Sequence, residues 1–288
     1  MIDYHIHTPL CNHAEGEMEA YVQKAIGIGL KEICFLDHLT ICEAGKNLSM
    51  TPEQVPFYFE TVRQLKGQYK DSIGVNIGLE VDFSPENMGL VSEIIAAHSF
   101  DVIGTSLHFF GDVDVVRHKS AWNRGEWDTD RIYSLYYSQI EKILTYDCFD
   151  MICHFDLIKK FNRLPERSFK GKIENILSEM KSKNLAMEIN TSGYTHKTEE
   201  TYPSREIIEM CVDKGIHITL GSDAHRPEEV GRYFDRALQL LTAAGCTQLT
   251  VFNERRPAKI QITGIKDSKI GLGETQTFQP RRKKLGTR

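Results

Sequence analysis

The chain has 288 residues, 41% of them hydrophobic, and a formal net charge of −5. That length carries one large domain with a substantial core, and the negative balance excludes the global basic field that draws nucleic acid. Seven cysteines, an odd number with no CxxC spacing and several inside apolar runs, exclude a disulfide framework; with no charged-then-apolar leader and no apolar run of membrane-spanning length, a soluble cytoplasmic protein with reduced cysteines is expected.

In chain order, the apolar runs IDYHI (2–6), EICFL (32–36), VNIGLEV (75–81), DVIGTSL (101–107), DMICHF (150–155), LAMEIN (185–190) and IHITLG (216–221) predict seven strands. Between them the spacing predicts helices near 17–29, 52–69, 86–97, 129–146, 169–183, 203–214 and 228–244. In the first of these Met18, Tyr21, Val22, Ala25 and Ile26 share one face. Gly29, Gly215 and Gly245 follow amphipathic stretches as helix terminators do, and Pro203 opens one. The alternation predicts βα units and a parallel sheet. Seven units with no Pro/Ser-rich linker predict a single closed or nearly closed barrel over 1–264. The basic stretch from 265 to 288, ending QPRRKKLGTR, reads as a solvated tail. TQLTVF (247–252) is a candidate for one more short strand, with no helix after it.

Each predicted strand ends in imidazole or carboxylate. His5 and His7 close the first, Asp37 and His38 the second, Glu80 and Asp82 the third, His108 the fourth, His154 and Asp156 the fifth, Glu188 and Asn190 the sixth, and Asp223 and His225 the seventh. In parallel α/β barrels those ends form one face, and active sites are built there. In HxH, ExD and DxH the two members lie two apart, so on a strand both point the same way. Such ligands suit Zn, Mn or Fe. About eight of them on one rim exceed what one tetrahedral ion takes. They predict a two- or three-metal cluster with a carboxylate such as Glu80 bridging, an arrangement fitted to in-line displacement at phosphorus. One strand-end histidine alone would ordinarily be a hydrogen-bonded surface residue; five strand ends at once would not. Asp37 reads as a turn cap or a partner of a ligand, and Glu188 as a ligand or a ligand's hydrogen-bond partner. His98 and His217 lack the strand-end placement and read as structural, while His118 and His196 lie in loops and stay open.

The segments DYHIHTPLCNHAEGEMEAYVQKAI, GLKEICFLDHLT, GLEVDF, HFDLIKKF, EINTSGY with YPS, and LGSDAHRPEEVG resemble the polymerase and histidinol phosphatase (PHP) superfamily, in its histidinol-phosphatase branch, from Met1 to about Pro257. The resemblance implies an α/β fold, a distorted (β/α)7 barrel with a trinuclear metal centre at the C-terminal ends of the strands. It places His5, His7, Glu80 and Asp223 on one ion, His108 and His154 with shared Glu80 on a second, and His13, His38 and His225 on a third. Two to three divalent ions, Zn, Mn or Fe, are implied. So is a phosphomonoesterase that hydrolyses L-histidinol phosphate in histidine biosynthesis, by attack of a metal-bridging hydroxide on phosphorus. Asp223 and His225 are the candidates for protonating the leaving alkoxide.

Candidate substrate contacts are Lys160 and Arg163 after His154, Ser192 in NTSGY, and Arg205 after YPS, with Glu17 and Asp82 for the ammonium and imidazole of the substrate. The loop 112–131, which carries both tryptophans, is a candidate lid. Two other functions compete. A PHP-type nucleotide or nucleic-acid phosphoesterase would want a basic, aromatic-interleaved groove, which the chain lacks. A non-catalytic metal-stabilised interaction module would not need every ligand position filled. A small phosphate ester is therefore the expected partner, with no nucleic acid and no membrane.

Overall fold

Strands that are apolar at nearly every position are covered on both faces, and seven such strands form the central sheet here. The computed structural model describes residues 1–262; the tail expected over 265–288 lies outside the described residues. The strands are β1 (Ile2–Ile6), β2 (Glu32–Leu39), β3 (Gly74–Asp82), β4 (Val102–Ser106), the hairpin β5 (Phe109–Phe110) and β6 (Val113–Asp114), β7 (Met151–Ile152), β8 (Ala186–Asn190), β9 (His217–Gly221), β10 (Gln248–Asn253) and β11 (Arg256–Gln261). The main sheet runs β1-β2-β3-β4-β7-β8-β9, and every neighbouring pair is parallel. It closes at the C-terminal ends, where Ile6 bridges Ala224 and the His7 N–H donates to the Ala224 carbonyl at 2.9 Å. Below that bridge Asp3 carries the seam, accepting the Ser222 and Gly231 N–H groups at 2.9 and 3.0 Å. This is the expected distorted (β/α)7 barrel.

The helices α1 (Met18–Gly27), α2 (Val55–Gln68), α3 (Met88–Ala97), α4 (Ala121–Arg124), α5 (Thr129–Ile143), α6 (Lys170–Ser182), α7 (Arg205–Asp213) and α8 (Phe234–Ala243) supply the crossovers. Their apolar stripes are buried, as in α5 with Ile132, Tyr136, Ile140 and Ile143. Asp128 caps α5 by accepting the Arg131 N–H at 2.7 Å. Gly29, Gly215 and Gly245 take positive φ just past their helices. Among the described residues no helix is long and apolar enough to cross a membrane.

Four boundaries differ from the sequence reading. Strand β2 runs on through Asp37 and His38, because its register with β3 continues to Leu39 opposite Val81. The strand expected over 150–155 is only Met151–Ile152, because the chain turns at His154 with φ +27°. Pro203 precedes Ser204, the N-cap of α7, so it does not open that helix. The helix expected from 228 starts at Phe234, because Gly231 and Tyr233 both take positive φ. TQLTVF is β10, paired antiparallel with β11 outside the ring. It closes the N-terminal end of the barrel, where the Phe252 N–H donates to the Tyr4 hydroxyl at 2.7 Å.

Candidate metal centre

Glu80 near the end of β3 is fully buried and stands at the middle of the rim. Its Oε1 lies 2.6 Å from His154 Nε2 and 3.7 Å from His108 Nε2; its Oε2 lies 2.6 Å from His38 Nδ1, 3.5 Å from His5 Nε2 and 3.8 Å from His7 Nε2. Asp223 Oδ1 is 3.0 Å from His7 Nε2 and 4.0 Å from His5 Nε2. The His7 ring stacks on those of His38 and His225, each at 4.1 Å, and His225 reaches His13. All nine candidate ligand residues therefore converge, from six strand ends and the loop after β1.

The far nitrogens of several rings are already engaged. His5 Nδ1 donates to Glu188 Oε1 at 2.6 Å, His7 Nδ1 to Asp37 Oδ1 at 3.3 Å, and His13 Nδ1 to the Cys11 carbonyl at 2.8 Å. His108 Nδ1 meets the Ser106 hydroxyl at 3.2 Å. The carboxylate and carbonyl acceptors fix the proton of His5, His7 and His13 on Nδ1 and leave each Nε2 lone pair facing inward. Burial pushes the pKa of His7, His13 and His225 below the usual range, which keeps those rings neutral and able to ligate. Burial would raise Glu80 and Asp223, but the surrounding imidazoles outweigh it and hold both carboxyls well below their ordinary values.

His5 Nε2 is buried without a hydrogen-bond partner, and so is Glu80 Oε2, which His38 Nδ1 approaches to 2.6 Å without hydrogen-bond geometry. Two acceptors aimed at one point 3.5 Å apart suit a cation between them, since metal–ligand bonds of about 2 Å set ligands at that spacing. The donor set of imidazole and carboxylate fits a divalent ion. Two residues of the set sit in the left-handed backbone region, Asp223 at φ +56° and His154 at φ +27°, where strain gathers at functional sites.

A cavity of about 450 Å³ opens on this cluster. His13, His38, His108, His154, Asp223 and His225 line it, together with Lys160, Ser192, His196 and Arg232 and, from the loops after β2 and β4, Thr40, Leu48, Phe109, Val116 and Arg117. Of the six candidate substrate contacts, Lys160 and Ser192 are at the cavity. Burial pulls the pKa of Lys160 down, and the Ser192 hydroxyl donates to Asn190 Oδ1 at 2.7 Å.

The other four are elsewhere or occupied. Arg163 stacks over Trp122 at 5.4 Å and is not at the cavity. Arg205 is exposed and pairs with Glu209 at 2.7 Å. Glu17 is exposed at the N-cap of α1. Asp82 Oδ1 accepts the His108 backbone N–H at 2.8 Å, so this carboxylate braces a candidate ligand. Asp156 is likewise structural, accepting from Ser204 N–H and Lys159 at 2.9 Å each.

The loop 112–131 does reach the cavity through Val116 and Arg117. Arg117 Nη2 donates to the Ala44 carbonyl at 2.5 Å, across to the loop after β2. Sequence reasoning passed over Arg117 and Arg232 and left His196 open. Arg232 donates to the Ser222 and Asp223 carbonyls at 2.9 Å each, holding the turn that carries Asp223. The available signal for Arg232 and His196 was position, since both follow strands whose ends already carried candidate ligands.

The PHP domain matches residues 3–192. A Deinococcus radiodurans protein named "probable histidinol-phosphatase" is 31% identical over 258 residues, covering 89% of this chain and 98% of its own length. The histidinol-phosphatase of Lactococcus lactis is 27% identical over 259 residues, 88% of this chain and 94% of that one. The crystal structure of histidinol phosphate phosphatase from Lactococcus lactis, complexed with zinc, L-histidinol and phosphate, has a similar fold, with a TM-score of 0.78 at 24% identity over 89% of this chain and 98% of that chain.

Proposed function

The chain belongs to the PHP domain family, and we propose that within it the protein is a histidinol-phosphatase, a phosphomonoesterase hydrolysing L-histidinol phosphate to L-histidinol and phosphate. The observation that carries the reading is one cavity in which six residues of the His/Glu/Asp cluster, His13, His38, His108, His154, Asp223 and His225, meet Lys160, Ser192 and Arg232, with His5, His7 and Glu80 buried behind them. Kinship over nearly the whole length of the Deinococcus and Lactococcus proteins supports the substrate.

In this reading His5, His7, Glu80 and Asp223 hold one ion, Glu80, His108 and His154 a second, and His13, His38 and His225 a third. Divalent zinc, manganese or iron bound there supplies Lewis acidity, acidifying water and neutralising phosphoryl charge. The chain's own groups do the rest. Lys160 donates to a phosphoryl oxygen, as a charge-assisted contact. The Ser192 hydroxyl gives its proton to Asn190 Oδ1 and offers the cavity an acceptor oxygen. Asp223 Oδ1 faces the Nε2 atoms of His7 and His5, where it would hold an ion, and Oδ2 accepts from the Asn190 amide at 3.3 Å. With both oxygens committed, Asp223 would not carry a proton. The Glu229 carboxylate accepts the His225 N–H at 2.8 Å and pairs with Arg232 at 3.1 Å, fixing the turn beneath both. Seven unpaired cysteines suit a reducing, cytoplasmic setting.

The test is phosphate release by metal-quantified protein from L-histidinol phosphate, p-nitrophenyl phosphate and a short oligonucleotide. Strong preference for the first is expected, with loss on chelation and recovery on adding metal back. Equal turnover of simple esters, or activity on the oligonucleotide alone, would discard the substrate.

A further inference from the structure

Glu188 on β8 is fully buried and does not line the cavity, yet its two oxygens serve two different candidate ligands. Oε1 accepts from His5 Nδ1 at 2.6 Å; Oε2 accepts the His154 backbone N–H at 2.7 Å and the Asn190 amide at 3.2 Å. His5 Nε2 then faces Glu80 Oε2 at 3.5 Å, and His154 Nε2 faces Glu80 Oε1 at 2.6 Å. One carboxylate thus sets a residue on each side of the bridging Glu80.

Both residues need that support. An imidazole whose Nδ1–H is held by a carboxylate keeps its Nε2 lone pair inward and gains basicity. His154 sits at φ +27° and its Nδ1 is buried without a partner, so its ring orientation depends on where the backbone is held. The neighbouring strand has been shaped around the carboxylate as well. A Cβ at Gly221 on β9 would lie 2.2 Å from Glu188 Oε1 and 2.6 Å from His5 Cβ. No side chain fits there while Glu188 keeps its place.

We propose that Glu188 is a positioning residue that aligns His5 and His154 together, coupling the two ion positions that share Glu80, and that residue 221 is glycine to admit it. The inference rests on the metal-dependent reading above.

The test uses the full chain. Zinc is titrated into apo-protein against a chromophoric chelator, bound zinc is counted after dialysis, and melting of the apo form is followed by circular dichroism. Glu188→Gln keeps the shape but leaves one acceptor oxygen for three donors. Zinc affinity is expected to fall by about 10- to 100-fold, with two ions weakened together. Gly221→Ala, which retains the charge and displaces it, is expected to act in the same direction. Wild-type zinc affinity in E188Q, weakening of a single ion, or a lower apo melting temperature with zinc binding unchanged would each overturn the coupling. If E188Q does not fold, G221A decides by the same zinc readout. Wild-type protein that binds no zinc, manganese or iron would overturn the metal reading itself and this inference with it.

Discussion

His13 Nε2 lies 2.9 Å from His225 Nε2, and each ring's Nδ1 donates to a backbone carbonyl, of Cys11 and Asp223 respectively. Two acceptor lone pairs facing each other repel unless a cation stands between them. Neither Nδ1 is held by a carboxylate oxygen within hydrogen-bond distance, unlike that of His5. His13→Ala is therefore expected to lower the metal content by one ion per chain and leave the others in place. His13 is exposed, so the change in stability should stay below about 1 kcal/mol. Plasma emission spectrometry on dialysed protein checks the count. Unchanged stoichiometry would remove the third position.

Lys160 and Arg205 were equal candidates by residue type, and the structure separates them. Lys160 lines the cavity, whereas Arg205 is exposed and bound to Glu209. A hydrogen bond to a charged group is worth about 1.5–3 kcal/mol, so Lys160→Ala should lower kcat/KM for L-histidinol phosphate by roughly 10- to 100-fold with metal content intact. Arg205→Ala should leave it within about twofold, as a surface change does. Similar kinetics for the two variants would take Lys160 out of the phosphate site.

His196 gives the cavity an acid-sensitive element. Burial first, and then the charge of Lys160, bring its pKa down to about 4 from an ordinary 6.5. Between those values the unfolded chain takes up a proton that the folded chain refuses, so stability falls as pH drops from 6.5 towards 4. In metal-free protein His196→Gln removes this term. Urea midpoints at pH 7, 5.5 and 4.5 should show the variant gaining on wild type as the pH is lowered. A difference that does not change with pH would mean His196 is not the group responsible.

Eight of the nine candidate ligands were legible because they lie at or just past the end of an apolar run, and a parallel barrel gathers those ends on one face; His13, in the loop after β1, was legible only through the family resemblance. The charged arms were harder to place. Nothing within HFDLIKKFNR tells that Lys160 turns to the cavity while Arg163 lies on Trp122, whose indole N–H donates back to the Ile158 carbonyl at 3.2 Å. That packing joins segments some forty residues apart and has no local signature. Arg205 and Glu17 were misplaced for a related reason, since residue type near a motif does not reveal which way a helix end faces. The β10–β11 hairpin was half visible. TQLTVF has strand composition, but its antiparallel partner, Arg256–Gln261, is mostly exposed, opens on Arg-Pro and shows no clear apolar pattern of its own.

Tyr4 precedes His5 on β1, whose register with β2 shifts between Asp3 and Ile6, and the two side chains meet residues four apart on β3, Asn76 and Glu80, so β1 serves both ends of the barrel. While His5 faces the rim, the Tyr4 hydroxyl donates to Glu32 and accepts from the Phe252 N–H at 2.7 Å and from Asn76 Nδ2 at 2.8 Å. Burial raises the pKa of Glu32, and this network is what it leans on at the closed end. Tyr4→Phe removes the hydroxyl and little else. It leaves the Phe252 N–H without this acceptor in a buried setting, a loss of about 1–3 kcal/mol. The urea midpoint should fall accordingly, while kcat/KM for L-histidinol phosphate at a temperature where the variant is folded should match wild type, because no cavity residue is touched. A variant equally stable to wild type would show that the Tyr4 hydroxyl does not anchor β10 to the closed end of the barrel. One with lost activity at full folding would show that the two ends of β1 are mechanically joined.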